Sequence, residues 1–200
     1  AASDVYKRQD TLPSIPGEHN YIYVRTPLEE NEEKNYDEIT FYDGLGRELD
    51  FAQSYGANRT AIFIADHHLI EYDSLGRKEK QWITAPTSFS YMAPEDLKNG
   101  ILWDYHDAGK RSYLQTNYES SPLNRITEQY GVGDAWGNHP ARMEYLTNIP
   151  ADSLRCSLYL IDDNDALIRR GDYRSGELQV TKATDEDGRP TYTFVCLLYT

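Results

Sequence analysis

The pentad Asp-x-x-Gly-Arg occurs three times in this chain of 200 residues, as Asp43-Gly44-Leu45-Gly46-Arg47, Asp73-Ser74-Leu75-Gly76-Arg77 and Asp185-Glu186-Asp187-Gly188-Arg189. Chance placement of its 18 Asp, 13 Gly and 13 Arg would give about 0.08 copies, so self-similarity is the first constraint on the fold. The pentad carries a turn chemistry. Asp opens a type I turn, two tolerant positions follow, and Gly takes the left-handed conformation that closes the turn onto the next strand. Tyr42 and Tyr72 precede the first two copies, which share Leu45 and Leu75; the third has Thr184 in place of Tyr. A repeated turn of this kind means repeated hairpins. Asp43 and Asp73 are expected to cap turn amides, Arg47 and Arg77 to reach back to a carboxylate or carbonyl, and Tyr42 and Tyr72 to stack on neighbouring strands.

Short alternating segments between turn signals support this. Strands are expected at Tyr21–Thr26, Glu38–Tyr42, Glu48–Tyr55, Ala61–Ala65, His68–Tyr72 and Lys78–Ile83, then at Tyr113–Tyr118, Arg125–Tyr130, Arg142–Thr147, Cys156–Ile161, Leu167–Tyr173, Leu178–Thr184 and Thr191–Phe194. After the first turn, Leu49 and Phe51 are placed on a buried face, with Glu48 and Asp50 on a wet one. Ala93–Tyr105 breaks the pattern: Pro94, Glu95 and Asp96 suit a first helical turn, and Leu97, Ile101, Leu102 and Tyr105 follow at helical spacing. The fold class is therefore mainly β, an antiparallel hairpin or meander sheet with one short helix near 94–105. Glu29–Lys34 reads as an exposed loop, and His106-Asp-Ala-Gly109-Lys110 as a degenerate copy of the turn.

Ala1–Gln9 and Val195–Thr200 resemble translated sequencing-adapter sequence. Residues 10–194 are accordingly read as a single β-rich domain and as a fragment. Setting Asp4, Lys7 and Arg8 aside takes the net charge from −13 to −14. An acidic body argues against nucleic acid as a partner, because phosphate contacts need clustered Lys and Arg. No apolar run reaches the roughly 20 residues that span a bilayer as a helix. With Cys196 in the excluded end, Cys156 stands alone and supports neither a disulfide framework nor a cysteine metal site.

Candidate chemical groups are thin. Asp66-His67-His68 supplies at most two ligands on one strand face and is read as a surface pair at a strand-to-turn junction. Asp162-Asp-Asn-Asp165 and Asp185-Glu-Asp-Gly188 suit acidic hairpin turns better than calcium loops, which need a downstream bidentate Glu. Arg170-Gly-Asp172 is a chance tripeptide at a strand end. Gly131, Gly133 and Gly137 suit a loop that lets Trp136 fold back rather than a phosphate cradle. Trp82, Trp103 and Trp136 could form aromatic platforms for glycans, but half-wet strands enrich Trp and Tyr in any case. No nucleophile elbow or zinc-protease motif is present. The sequence thus points to no catalytic residue, cofactor or metal, and to no enzyme.

Tyr42–Arg47 and Tyr72–Arg77 resemble the YD repeats of bacterial Rhs proteins. Asn20–Pro27, Phe41–Arg47, Glu71–Arg77, Ser121-Pro-Leu-Asn-Arg125, Gly131–Trp136 and Thr184–Arg189 come in the order of the uncharacterised domain that precedes the repeat array in Rhs-associated core proteins. The resemblance implies a large secreted or surface-displayed protein whose hairpin strip forms a shell around a C-terminal effector or toxin. The partner it implies is the remainder of the same Rhs chain. Surface glycans or a partner protein, met by exposed Tyr and Trp, are the alternative. The structural turn residues are Tyr42, Asp43, Gly46, Arg47, Tyr72, Asp73, Gly76, Arg77, Asp185, Gly188 and Arg189.

Overall fold

The computed structural model describes residues 20–28, 34–57, 64–88, 92–104 and 111–196. These fall into two compact units, one holding residues up to 115 with 132–134, the other 116–131 with 135–200. The class is mainly β and antiparallel, as the turn chemistry requires.

In the first unit β1 (Asn20–Pro27), β2 (Lys34–Tyr42), β3 (Glu48–Ala57), β4 (Ile64–Tyr72) and β5 (Lys78–Trp82) lie side by side in chain order. The short β6 (Ala85–Ser88) pairs with the first half of β4, and Tyr113–Gln115 of β7 (Tyr113–Tyr118) pairs with β5. The edge strand β1 is tied to β2 by Asp37. Its buried carboxylate accepts from Arg25 Nε at 2.7 Å, Arg25 Nη2 at 3.1 Å and the Tyr23 hydroxyl at 2.8 Å. Burial first, and then the hydrogen bond to Asp37, push the Tyr23 phenol up to about 12.

The helix α1 (Pro94–Asp104) starts where the sequence places it. The Ala93 carbonyl accepts from the Asp96 and Leu97 amides, which puts Pro94 in the first turn, where its missing N–H costs nothing. Leu97 and Ile101 are buried against Leu69 and Trp82, with Ile83, Met92 and Tyr113 around them. Lys98 pairs with Glu71, which also accepts from Lys80 and from the Trp82 indole N–H at 3.2 Å.

Several expectations change. Residues 61–63 of the expected strand Ala61–Ala65 lie outside the described residues, and from Ile64 one strand, β4, runs unbroken through His68–Tyr72. His67 is fully buried in mid-strand, its Nδ1 2.6 Å from Asp50 Oδ2, and so it is not a surface residue. The two faces of β3 are also exchanged: Asp50 and Ala52 are buried, while Leu49 and Phe51 are half-buried. The cause is a β-bulge. Tyr42 faces Glu48 but Phe41 faces Asp50, leaving Leu49 as an extra residue, and one extra residue reverses which side chains point inward. Asp50 then lies opposite Phe41 and Ala52 opposite Ile39, both core residues. Glu79 is the matching extra residue after the second turn. The strand β6 was not anticipated; Pro86 argues for a loop by composition, but Pro is tolerated at a sheet edge.

In the second unit the strand order is β7, β8 (Ile126–Tyr130), β9 (Ala141–Thr147), β12 (Leu178–Thr184) and β13 (Pro190–Cys196). The final strand continues through Val195 and Cys196 opposite Gln179 and Leu178. Between β9 and β12 the chain leaves the sheet and forms a separate hairpin, β10 (Ser157–Ile161) with β11 (Leu167–Asp172). Buried Asn148 closes the base of this excursion. Its backbone N–H donates to the Leu178 carbonyl at 3.1 Å, and its Oδ1 accepts from the Leu178 amide at 2.8 Å. Its Nδ2 donates to the Arg174 carbonyl at 2.8 Å, and its own carbonyl accepts from the Gly176 amide at 2.9 Å. Residues 29–33 of the predicted acidic loop and the degenerate turn at 106–110 lie outside the described residues.

Candidate functional site: the turn clasps

Each Asp-x-x-Gly-Arg copy builds the turn its residue types dictate. In the first, the Gly46 amide donates to the Asp43 carbonyl at 3.0 Å and the Asp43 amide to the Arg47 carbonyl at 2.9 Å. Asp43 Oδ1 accepts from the Leu45 and Arg47 amides at 2.8 and 2.9 Å, and Arg47 Nε donates to Oδ2 at 2.7 Å. The second turn matches it: Asp73 Oδ1 takes the Leu75 and Arg77 amides, both at 2.9 Å, and Arg77 Nε donates to Oδ2 at 2.7 Å. Gly46 and Gly76 have φ of 76° and 80°, the left-handed region that favours Gly. Amide donors and the Arg guanidinium hold the Asp43 and Asp73 carboxyls below the usual range, the Arg47 and Arg77 amides foremost.

The third copy keeps the backbone but not the clasp. The Asp185 amide donates to the Arg189 carbonyl at 3.1 Å, and Asp185 Oδ1 accepts from the Asp187 and Arg189 amides. The Arg189 guanidinium instead reaches exposed Asp187 at 3.7 Å. This hairpin also lacks the bulge, since Thr184 faces Pro190 and Ala183 faces Thr191.

Two further turns share the plan under different residues. At Glu119–Arg125 a longer loop closes with the Glu119 amide on the Arg125 carbonyl at 3.0 Å, and Asn124 takes the Gly position at φ 54°. Arg125 grips both Glu119 oxygens at 2.7 Å and is the largest cause holding that carboxyl at about 2. At Asp162–Ala166 the amide pattern is that of the first turn, with Asp165 at φ 60° where Gly would stand. The sequence signal for these was an acid followed by Asn or Asp, the non-Gly residues that best tolerate positive φ.

The turns are also joined to the strands beside them. The Arg47 guanidinium lies 4.6 Å from the Tyr72 ring centroid, and the Tyr72 hydroxyl donates to the Glu48 carbonyl at 2.7 Å. In the second unit Arg125 lies 4.6 Å from the Tyr145 ring, and the Tyr145 hydroxyl donates to the Ile126 carbonyl at 3.0 Å. The two joints are built alike. An Arg that closes one turn stacks on a Tyr from the next strand, and that Tyr donates to the carbonyl just after the Arg. Sequence reasoning placed Tyr72 on a neighbouring strand and missed Tyr145, which no turn motif follows.

The remaining candidates have structural surroundings. Asp162 Oδ1 is spent on the Asn164 and Ala166 amides. Arg170-Gly171-Asp172 ends β11, with Asp172 bonded to Ser157 and Arg169. A Cβ on Gly131 would meet Trp136 Cγ at 3.2 Å, so the ring does fold back onto that glycine. Trp82 is buried in the first unit's core and Trp136 is partly exposed in the second; the side chain of Trp103 lies outside the described set. A cleft of about 420 Å³ in the first unit is lined mainly by Phe51, Leu69, Ile70, Trp82, Ile83 and Leu114. Among the described residues no three His, Cys, Asp or Glu side chains gather as a metal site, and no helix is long and apolar enough to cross a membrane.

Antiparallel hairpins closed by acid–arginine clasps define the structural class. Residues 19–147 match the model of a family described as a domain of unknown function, DUF6443, and the chain belongs to that family. No curated protein and no solved structure gives a match.

Proposed function

We propose that the chain is a non-catalytic structural module of a large secreted or surface-displayed protein of the Rhs/YD-repeat kind, leading into a β shell that encloses or presents a C-terminal effector. The observation that carries this reading is the repeated joint, Arg47 on Tyr72 and Arg125 on Tyr145, because in each unit it binds a turn to a strand beyond that turn's own hairpin. A device that propagates from hairpin to hairpin suits a scaffold extended by repetition. The polar groups that attract attention in the sequence are occupied in ways a scaffold needs: Asp residues cap amides, His67 pairs with Asp50, and Trp82 fills the core.

Electron microscopy of the intact protein tests this. The expected image is a shell of hairpins continuous with this module's strands. A separate body joined to its neighbours by a flexible tether, or a catalytic domain following directly, would refute it.

A further inference from the structure

The two Tyr–Arg joints share a geometry that can be carried to a third place. In both, the Arg carbonyl is taken inward by the turn's own acid, Asp43 N–H on Arg47 at 2.9 Å and Glu119 N–H on Arg125 at 3.0 Å. The carbonyl of the next residue therefore points the other way, toward the following strand, because successive residues of a strand direct their polar groups to alternate sides. That carbonyl is the one the Tyr hydroxyl meets, on Glu48 and on Ile126.

The third turn repeats the first half of this arrangement. The Arg189 carbonyl accepts from the Asp185 amide at 3.1 Å, so the Pro190 carbonyl points away from β12, toward the outer side of β13. There β13 ends the strand order among the described residues. Proline has no N–H, so at this position the edge accepts and cannot donate, which suits a phenol. Beside it the Arg189 side chain is 79% exposed and off its own Asp185, meeting only exposed Asp187 at 3.7 Å among the described residues.

We propose that the outer edge of β13 is an interaction surface for one kind of partner: an antiparallel strand that sets a Tyr beside Arg189, as Tyr72 lies beside Arg47 and Tyr145 beside Arg125. The ring of that Tyr stacks on the Arg189 guanidinium and its hydroxyl donates to the Pro190 carbonyl. Phe would stack but leave the carbonyl unmet, and an aliphatic residue would do neither. The scaffold reading above supplies the identity of that strand, a further hairpin of the same type; the socket itself follows from the two filled joints.

A copy of residues 64–82, which carries such a Tyr, is appended through a flexible linker after Thr200, and amide hydrogen exchange is read on β13. The outward amides are those of Tyr192 and Phe194, alternating from Pro190, and they should exchange at least about tenfold more slowly in the extended chain. The protection should be lost with Tyr72→Ala in the appended copy alone, and with Arg189→Ala in the recipient. Arg189 is exposed, so the melting midpoint of the unextended Arg189→Ala chain should not move. No slowing overturns the proposal, and so does slowing that survives both substitutions, which is edge pairing without a socket. Protection in the unextended chain that grows with concentration also overturns it, by placing a second copy on the edge. Because the appended strand is supplied artificially, this docking can fail while microscopy still finds a continuous shell, and the reverse.

Discussion

Gly46 and Gly76 occupy the same position in turns of nearly the same sequence, yet replacing them with Ala should not cost the same. Both have positive φ, 76° and 80°, so any Cβ brings backbone strain of about 1 kcal/mol. At Gly46 the added methyl meets nothing within 4 Å, and strain is the whole cost. At Gly76 it arrives 3.2 Å from Arg47 Nη1. That guanidinium has little room to yield, because Asp43 holds it from one side and the Tyr72 ring lies 4.6 Å from its centre. Displacing it forfeits most of a cation–π contact worth about 0.5–1 kcal/mol at such a site. Gly76→Ala should therefore destabilise by about 1.5–2 kcal/mol against about 1 for Gly46→Ala, summing these two terms. Urea unfolding at an unchanged m-value measures both. The decisive comparison is a cycle with Arg47→Ala, in which the excess cost at Gly76 should vanish. Equal costs in the wild-type background, or an excess that persists without Arg47, would refute the reasoning.

Tyr72→Phe keeps the ring over Arg47 but loses the 2.7 Å bond to the Glu48 carbonyl, and should cost about 1 kcal/mol by urea unfolding, with Tyr72→Ala costing more. Arg125 holds the Glu119 carboxyl at about 2 against an ordinary 4.5. Its ionised form therefore stabilises the turn fully above pH 4.5, and that contribution is lost as pH falls toward 2. The melting midpoint of Glu119→Gln should sit below wild type at neutral pH and converge with it across this window. His67→Leu leaves the buried Asp50 carboxylate without its 2.6 Å partner and should cost about 3 kcal/mol or more, whereas the double variant with Asp50→Leu recovers much of the loss in the same denaturation assay.

The turns were legible because their chemistry is local. Asp, Gly and Arg within five residues settle the amide pattern whatever surrounds them, and α1 was readable for the same reason from Pro94 and the Leu97/Ile101 spacing. What escaped depends on pairing between distant segments. The bulge at Leu49 is set by which residue of β2 faces Asp50, and no alternation within β3 reports it. His67 looked like a surface residue because its partner Asp50 is 17 positions away, on a face misassigned by that bulge. Tyr145 was one of many tyrosines until β9 was placed beside β8, which aligns it with Arg125. The turns at Glu119 and Asp162 show the opposite limit: Asp162–Asp165 reads as an acidic hairpin turn, but the longer Glu119–Arg125 loop departs from the pentad far enough to conceal its acid–arginine clasp.

Asn148 has a consequence for how this sequence can change. By bonding Arg174, Gly176 and Leu178, it fastens together the two ends of the 148–178 excursion. The alignment of β9 with β12 is thereby decided at the neck of the loop rather than by anything in the β10–β11 hairpin. Loop-closure entropy grows only slowly with length, so a neck already fastened tolerates longer or shorter contents at little cost. The excursion is thus an interchangeable position. Leu160, Ile161 and Leu167 expose apolar surface there, and selection can rewrite that surface while the sheet beneath stays as it is.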